Sequence, residues 1–155
     1  MLRKCFRKLF FVMLVINTMH CIAAEQKFTD HNGKAINFES YKNKWQLFIY
    51  VSSGCQYCRK EIVVLNELVG AYPDKLVVFG SNNEGLTNDE LRDYVAKTNI
   101  KFSMLQQNPA TLLRIKHIRM VPTMVIIKPN GDVLEPMVGL RTRQQLESVL
   151  FEGNK

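Results

Sequence analysis

Two continuous apolar runs dominate the middle of the chain, WQLFIYVS at residues 45–52 and KLVVFG at residues 75–80. Both are short and rich in β-branched and aromatic residues, which predicts strands that are buried on both faces. Between them lies one apolar stripe at helical spacing, made of Cys58, Ile62, Leu65 and Val69. The pattern predicts a strand, a helix that opens after Cys55 and stops before Tyr72-Pro73, and a second strand.

Turn signals place shorter strands on both sides of this unit. Asn32-Gly33 separates two short runs within FTDHNGKAINF, residues 28–38, which predicts a β-hairpin. Nearer the C-terminus, TMVIIK at residues 123–128 and VLEPMV at residues 133–138 flank the turn PNGD. We expect these two strands to pair with each other.

Two capping boxes mark further helices. Thr87-x-x-Glu90 opens a helix that we expect to reach about Thr98, and Thr142-x-x-Gln145 opens one that runs to about residue 151. A further short helix is expected over about residues 108–116. The resulting order, β-β-β-α-β-α-α-β-β-α, predicts an α/β fold with a mixed central sheet flanked by helices on both faces.

The first 24 residues differ from the rest of the chain. MLRKCFRK is basic and lacks acids, LFFVMLVI at residues 9–16 is wholly apolar, and the segment ends in the small residues Ala23 and Ala24. This layout is typical of a secretory signal peptide. The run is short for a membrane span, and an uncleaved membrane anchor over residues 9–24 is the alternative. We therefore predict a signal peptide or N-terminal membrane anchor over residues 1–24 and one domain over residues 25–155.

Composition and charge narrow the class of protein. The chain has 155 residues, of which 46% are apolar and 23% charged, as expected for one packed domain. Its formal net charge is +7, but the N-terminal segment supplies four positive charges and no negative one. The mature domain is therefore only weakly basic, and we expect no nucleic-acid partner.

Separating the N-terminal segment from the mature domain also divides the four cysteines into two pairs. Cys5 and Cys21 lie in the N-terminal segment, which leaves Cys55 and Cys58 in the mature domain. A C-x-x-C pair occurs in zinc sites, iron–sulfur sites, structural disulfides and redox-active dithiols. Both kinds of metal site usually need four ligands, and the two remaining histidines have no ligand-like spacing. A disulfide across so short a loop also stabilises a fold little.

A redox-active dithiol has a physical argument in its favour. Cys55 follows a buried strand and opens a helix, where free N–H groups and the helix dipole stabilise a thiolate. Cys58 lies one turn further along, on the apolar stripe. We predict that Cys55 attacks the substrate and that Cys58 resolves the mixed disulfide.

Longer motifs point to a family. CQYC after a buried strand, with IRMVPTMVIIKPNGDVL at residues 118–134, resembles the thioredoxin superfamily, and within it the TlpA/ResA/DsbE-like exported thiol–disulfide oxidoreductases. FTDHNGKAINFESYKNKW at residues 28–45 is similar to the N-terminal hairpin of that group, and residues 77–105 to its central insert. The resemblance covers about residues 27–151. It implies a thioredoxin-like fold, with a mixed central sheet flanked by helices, an N-terminal β-hairpin and a central insert.

The resemblance also implies roles for residues outside the pair. Pro122 would be a cis-proline facing the cysteines, and the backbone of Val121 would pair with an extended substrate strand. Met120 would add an apolar contact beside the site. Glu84, in the central insert, would be a buried carboxyl of raised pKa that exchanges protons with Cys58, although a solvated loop glutamate fits the sequence as well.

Four positions in or near the pair distinguish this chain from the family pattern. Gly54 stands where the family usually has Trp, which removes a large ring from the rim of the site. Ile49 stands where thioredoxins proper carry a buried carboxylate, so that proton acceptor is missing. Gln56 and Tyr57, between the cysteines, are expected to set the redox potential and to contact the substrate.

The function that the resemblance implies is that of an exported bacterial thiol–disulfide oxidoreductase, in the periplasm or on the outer face of the cytoplasmic membrane. It would reduce disulfides in proteins, with apocytochrome c among its substrates, and would receive electrons from a membrane thiol–disulfide donor. No cofactor and no metal are expected. The same residues would also serve an oxidant, because oxidant and reductant differ in potential.

Two other functions are known for proteins of this fold, and the sequence fits each of them less well. A peroxiredoxin-type thiol peroxidase shares the fold and the lead-in to the first cysteine; Ser52 fits its motif, but Phe48 stands where that motif needs proline. A copper-handling module of the same fold would use a C-x-x-x-C spacing, which differs from the spacing of Cys55 and Cys58.

Overall fold

Seven β-strands and three α-helices form the part of the chain that the computed structural model describes, residues 27–115 and 118–152. The strands are β1 Phe28–Thr29, β2 Ala35–Ile36, β3 Trp45–Val51, β4 Leu76–Asn82, β5 Ser103–Leu105, β6 Thr123–Ile127 and β7 Met137–Val138. The helices are α1 Gln56–Ala71, α2 Asn88–Thr98 and α3 Arg143–Glu147, with a 3₁₀ helix Phe38–Tyr41 and a π-helical turn Ser148–Glu152. The predicted signal segment, residues 1–24, lies outside the described residues.

The central sheet is mixed, as predicted, with the strand order β5-β4-β3-β6-β7. Strand β3 lies in the middle, parallel to β4 and antiparallel to β6. All seven of its residues are buried, because the sheet is covered on both faces. The carboxyl end of β3 leads directly into Cys55 and α1, so the best-buried strand of the fold supports the cysteine pair.

The helices begin where the sequence predicted. Cys55 is the N-cap of α1, and α1 ends at Ala71, before Tyr72 and Pro73. Both capping boxes are present, with Thr87 as the N-cap of α2 and Thr142 as the N-cap of α3. Each box satisfies two backbone N–H groups that a helix end would otherwise leave unpaired.

The two faces of the sheet are covered differently. One face packs against α1, α2 and α3 in a large cluster of aliphatic and aromatic side chains that includes Cys58. The other face packs an aromatic cluster under the β1–β2 hairpin and the 3₁₀ helix. In that cluster the ring of Phe38 lies with its centroid 5.0 Å from that of Phe28, 5.6 Å from that of Phe48 and 5.1 Å from that of Phe79. The N-terminal hairpin is therefore part of the hydrophobic core.

The short helix expected over residues 108–116 is wrong for the described part of that segment. The side chain of Asn108 accepts a hydrogen bond from the N–H of Ala110, as an N-cap residue would, but no regular helix follows it. One helical bond follows, from the N–H of Leu113 to the carbonyl of Pro109, and the backbone then turns left-handed at Arg114, with φ of 55°. The segment is a series of turns up to Ile115, and the remaining predicted position, Lys116, is not described.

Two strand predictions were also incomplete. Strand β5 was missing from the predicted element order, although it pairs in parallel with residues 79–81 of β4. The predicted strand over residues 133–138 pairs continuously only at Met137 and Val138, with an isolated bridge between Val133 and Ile127. Pro136 interrupts the ladder because proline has no backbone N–H to donate.

Candidate active site at the start of helix α1

Cys55 and Cys58 form a disulfide bond at the N-terminus of α1. Cys58 is completely buried, whereas Cys55 is partly exposed. The Sγ of Cys55 accepts a hydrogen bond of 3.0 Å from the backbone N–H of Cys58. Because the first N–H groups of a helix carry partial positive charge, they stabilise a thiolate at Cys55 once the disulfide is reduced. The geometry therefore leaves the sulfur of Cys55 as the accessible one and buries that of Cys58.

The loop before β6 lies against the disulfide. The peptide bond between Val121 and Pro122 is cis, which is the conformation that the resemblance implied. The carbonyl oxygen of Val121 lies 3.8 Å from the Sγ of Cys55. The carbonyl of Pro122 accepts a hydrogen bond of 2.8 Å from the N–H of Gly139, beyond β7. The structure thus brings Val121 and Pro122 together with Cys55.

The other predicted contact residues lie on the exposed rim of the pair. Gln56 and Tyr57 occupy the first turn of α1, and the Tyr57 side chain is 61% exposed. Met120, just before Val121, is 62% exposed. At Gly54 an added Cβ would have no heavy atom within 4 Å, so the rim is open where a side chain would project. A partner that approaches Cys55 meets these residues first.

Glu84 contradicts the prediction of a buried carboxyl with a raised pKa. It is exposed, and hydrogen bonds from the hydroxyl and the backbone N–H of Ser53, with a third from Asn82, lower its pKa. The two oxygen–donor distances to Ser53 are 2.6 Å and 2.7 Å. A carboxyl with a lowered pKa is a weak base at neutral pH. Glu84 instead ties the β3–α1 loop to the β4–α2 loop.

Removing this tie should have a small, pH-dependent effect. We expect Glu84→Ala to lower the free energy of unfolding by about 0.5–1 kcal/mol at neutral pH, the lower range for hydrogen bonds at an exposed site. Because the folded-state pKa is lowered, the contribution is present above the ordinary carboxyl pKa and disappears as the pH falls through the lowered value. Urea unfolding at several pH values measures this difference.

Glu90→Ala is the matched control for that measurement, because Glu90 also has a lowered pKa but binds Thr87 in the α2 capping box. Only Glu84→Ala should change the rate at which reduced Cys55 reacts with a small alkylating reagent, because only Glu84 holds Ser53. Equal changes in reactivity for both variants would contradict the role of Glu84 as the loop tie.

A second carboxyl, Glu61, lies on α1 one turn after Cys58 and was not predicted. Its side chain is only 1% exposed. Residues three apart on a helix are surface neighbours, with Cβ atoms about 5–6 Å apart, so Glu61 lies next to Cys58. One carboxylate oxygen accepts a hydrogen bond of 2.8 Å from the N–H of Arg141. The other oxygen, Oε1, is buried and has no hydrogen-bond partner within the described ranges.

Burial raises the pKa of Glu61, against the opposing hydrogen bond and charge of Arg141. A carboxylate of raised pKa is a stronger base than an exposed one and can take a proton from a neighbouring thiol. Ile49, by contrast, is apolar and buried in β3 and offers no such base. The signal was available in the sequence, because Glu61 lies at i+3 from Cys58 and beside Ile62 on the buried stripe.

Across residues 27–115 and 118–152, no three His, Cys, Asp or Glu side chains lie close enough together to hold a metal ion. In the same part of the chain no helix combines the length and the apolarity needed to cross a lipid bilayer.

The fold and the cysteine pair define a thioredoxin-like redox enzyme. The sequence profile of the AhpC/TSA family matches residues 20–135, and the chain belongs to this family. A curated relative, the thiol-disulfide oxidoreductase ResA of Bacillus cereus, is 27% identical over 122 residues, which are 79% of this chain and 70% of that protein.

Two solved structures share the fold. StoA from Bacillus subtilis superposes with a TM-score of 0.63 at 20% identity, covering 79% of this chain and 93% of StoA. The exposed lipoprotein thioredoxin Etrx1 from Streptococcus pneumoniae superposes with a TM-score of 0.70 at 19% identity, covering 83% of this chain and 99% of Etrx1. The predicted family resemblance and the predicted fold class are confirmed.

Proposed function

We propose that this protein is an exported thiol–disulfide oxidoreductase that reduces disulfides in other exported proteins. The observation that carries the proposal is the asymmetry of the pair, with Cys55 partly exposed beside the cis Val121–Pro122 bond and Cys58 fully buried. An exposed nucleophile and a buried resolving thiol allow a large substrate to reach one sulfur only. The names of the curated relatives, thiol-disulfide oxidoreductases, support the same reaction.

The reaction proceeds in two exchanges. The Cys55 thiolate attacks one sulfur of a substrate disulfide, forms a mixed disulfide and releases the first substrate thiolate. Glu61 then takes the proton of the Cys58 thiol. The resulting Cys58 thiolate attacks the Sγ of Cys55, which releases the second substrate thiolate. The substrate gains two electrons, and the enzyme ends with the Cys55–Cys58 disulfide.

Substrate binding uses the rim of the pair. The backbone of Val121 pairs with an extended strand of the substrate, next to Pro122. Gln56, Tyr57 and Met120 contact side chains on either side of the attacked cysteine. These residues are exposed beside Cys55, which is what a transient protein partner requires.

The location and the electron source belong to the same proposal. Residues 1–24 direct export or anchor the chain, and residues 25–155 form the domain in the bacterial periplasm or on the outer face of the cytoplasmic membrane. A membrane thiol–disulfide donor reduces the pair again, and apocytochrome c is one of the substrates. The basic start and the apolar run of residues 9–16 support export.

Two measurements test the proposal: an assay of disulfide reduction and the reduction potential of the Cys55–Cys58 pair. The reduced domain, residues 25–155, should reduce the disulfides of insulin. The reduction potential of its Cys55–Cys58 pair, measured by equilibration with glutathione, should be about −270 mV. A potential near about −120 mV would identify an oxidant that uses the same residues. Rapid consumption of peroxide without insulin reduction would identify a peroxidase instead, although Phe48 is buried within β3 at the position of the peroxidase proline.

A further inference from the structure

Large apolar side chains are exposed around the cysteine pair. Four of the seven such residues in the described ranges, Tyr57, Met120, Val138 and Leu140, lie on three segments that meet at this site. Met120 precedes Val121, whose carbonyl contacts Cys55. Val138 and Leu140 flank Gly139, whose N–H binds the carbonyl of Pro122. We call these four residues the apolar rim.

A second set of residues on the same segments is cationic. Arg59 and Lys60 follow Tyr57 on α1, Arg119 precedes Met120, and Arg141 follows Leu140. None of their side-chain cations lies within 4 Å of a carboxylate oxygen in the described part of the chain. The Lys60 ammonium lies over the Tyr57 ring, 5.9 Å from its centroid. We call these four residues the cationic border.

The carboxylates nearby offset this border only in part. Hydrogen bonds from Ser53 and Asn82 lower the pKa of Glu84, which is therefore negative at neutral pH, and Glu61 is buried beneath the Leu140–Arg141 backbone. Two carboxyls thus face four cationic side chains. The first turn of α1 contains no acid. The surface around Cys55 therefore carries a net positive charge.

Apolar and cationic residues follow the same order on each segment. Tyr57 is nearer than Lys60 to Cys55 along α1, Met120 is nearer than Arg119 to Pro122, and Leu140 is nearer than Arg141 to Gly139. Along each segment, the apolar residue is therefore nearer to the site than the cationic one. An exposed apolar patch bordered by one sign of charge is typical of a surface that selects its partner.

We infer that the site takes extended protein segments in which apolar side chains flank the attacked cysteine and Asp or Glu side chains lie further out. This inference rests on the proposed function and adds the chemistry of the substrate to it. Apolar neighbours of the cysteine cover the apolar rim, and outer carboxylates meet the cationic border. Segments with outer Lys or Arg are repelled by the same border, which adds discrimination to the attraction.

Three synthetic peptides test the inference, each carrying one cysteine in a disulfide with thionitrobenzoate, whose release is coloured. The first has Leu next to the cysteine and Glu further out, the second has Leu and Lys, and the third has Ser and Glu. At low ionic strength, we expect the Leu/Glu peptide to react with the reduced domain about tenfold faster than the Leu/Lys peptide. The ratio of the Leu/Glu rate to the Leu/Lys rate should fall as salt is added. The ratio of the Leu/Glu rate to the Ser/Glu rate should persist, because it depends on apolar contact.

Charge reversal supplies the decisive comparison. Lys60→Glu combined with Arg119→Glu should invert the preference between the Leu/Glu and Leu/Lys peptides. The matched control is Lys97→Glu combined with Lys101→Glu, which makes the same change in net charge at exposed positions on the C-terminal side of α2. The control should keep the preference of the unmodified domain.

The outcomes separate the inference from the function on which it rests. If all three peptides react at one rate, or if the control inverts the preference as fully as the border variant, the inference is overturned while the redox function stands. If none of the peptides reacts although Cys55 is reduced and titrates with a small alkylating reagent, the proposed function fails as well.

Discussion

Replacing Cys55 with serine is expected to abolish disulfide reduction, whereas replacing Cys58 with serine is expected to stop the reaction after its first step. The reason is the difference in exposure, because a substrate can reach Cys55 but not the fully buried Cys58. In Cys58→Ser the mixed disulfide at Cys55 should accumulate to nearly one equivalent. Non-reducing electrophoresis and mass spectrometry of the domain with a reducible substrate would detect it.

Cys58→Ala is the control for folding, because serine places a hydroxyl in an apolar cluster and alanine does not. Both Cys58 variants should trap the same substrate, with unfolding transitions that remain cooperative. A mixed disulfide formed by Cys55→Ser through Cys58 would contradict the assignment of the nucleophile.

Replacing Glu61 with glutamine should slow the second exchange at neutral pH by about 10²-fold, the lower end of the range for a positioned acid or base. Glutamine retains an oxygen that can accept the N–H of Arg141, but it cannot take a proton from Cys58. The first exchange does not use Glu61, so its rate should change little. Rapid-mixing measurements of mixed-disulfide formation and decay, each across a pH series, separate the two steps.

A structural effect of the same substitution is distinguished by its pH dependence. The pKa of Glu61 is raised above its ordinary value of 4.5. Between that value and the raised one, the unfolded chain has released the proton and the folded chain still holds it, so stability falls as the pH rises. Glu61→Gln should remove this slope and make the domain more stable at neutral pH. A slow second exchange with an unchanged pH profile would contradict the proton-transfer role.

The central part of the fold was predictable because local patterns decide it. Strand β3 reads as a continuous apolar run since both of its faces are buried, and the apolar stripe of α1 lies under one side of the sheet. The capping residues Thr87 and Thr142 act within three positions of themselves. Such signals need no knowledge of the rest of the chain.

The wrong predictions concern segments whose local structure depends on a distant contact or on a single turn. Strand β5 has three residues and exists because β4 offers a free edge. The expected helix after Asn108 does not form in the described residues, because only one helical hydrogen bond is made before the backbone turns left-handed at Arg114.

The two carboxyls illustrate a related limit. Glu84 was predicted as either a buried or a solvated carboxyl, and its exposed position with bonds to Ser53 agrees with the second alternative; Glu61 was not predicted at all. The stripe around Glu61 indicates its burial, but its partner Arg141 lies 80 positions away in the chain. The cysteine pair was recognisable because strand, helix and spacing lie within one short segment.

Gly54 has an evolutionary consequence. The position faces open space, and the neighbouring rim residues Tyr57 and Met120 are mostly exposed, so none of the three contributes much to the hydrophobic core. Substitutions there change what a partner meets while leaving the folding free energy almost untouched. Selection can therefore alter the range of partners through this rim one residue at a time, without a compensating change in the sheet that holds the cysteines.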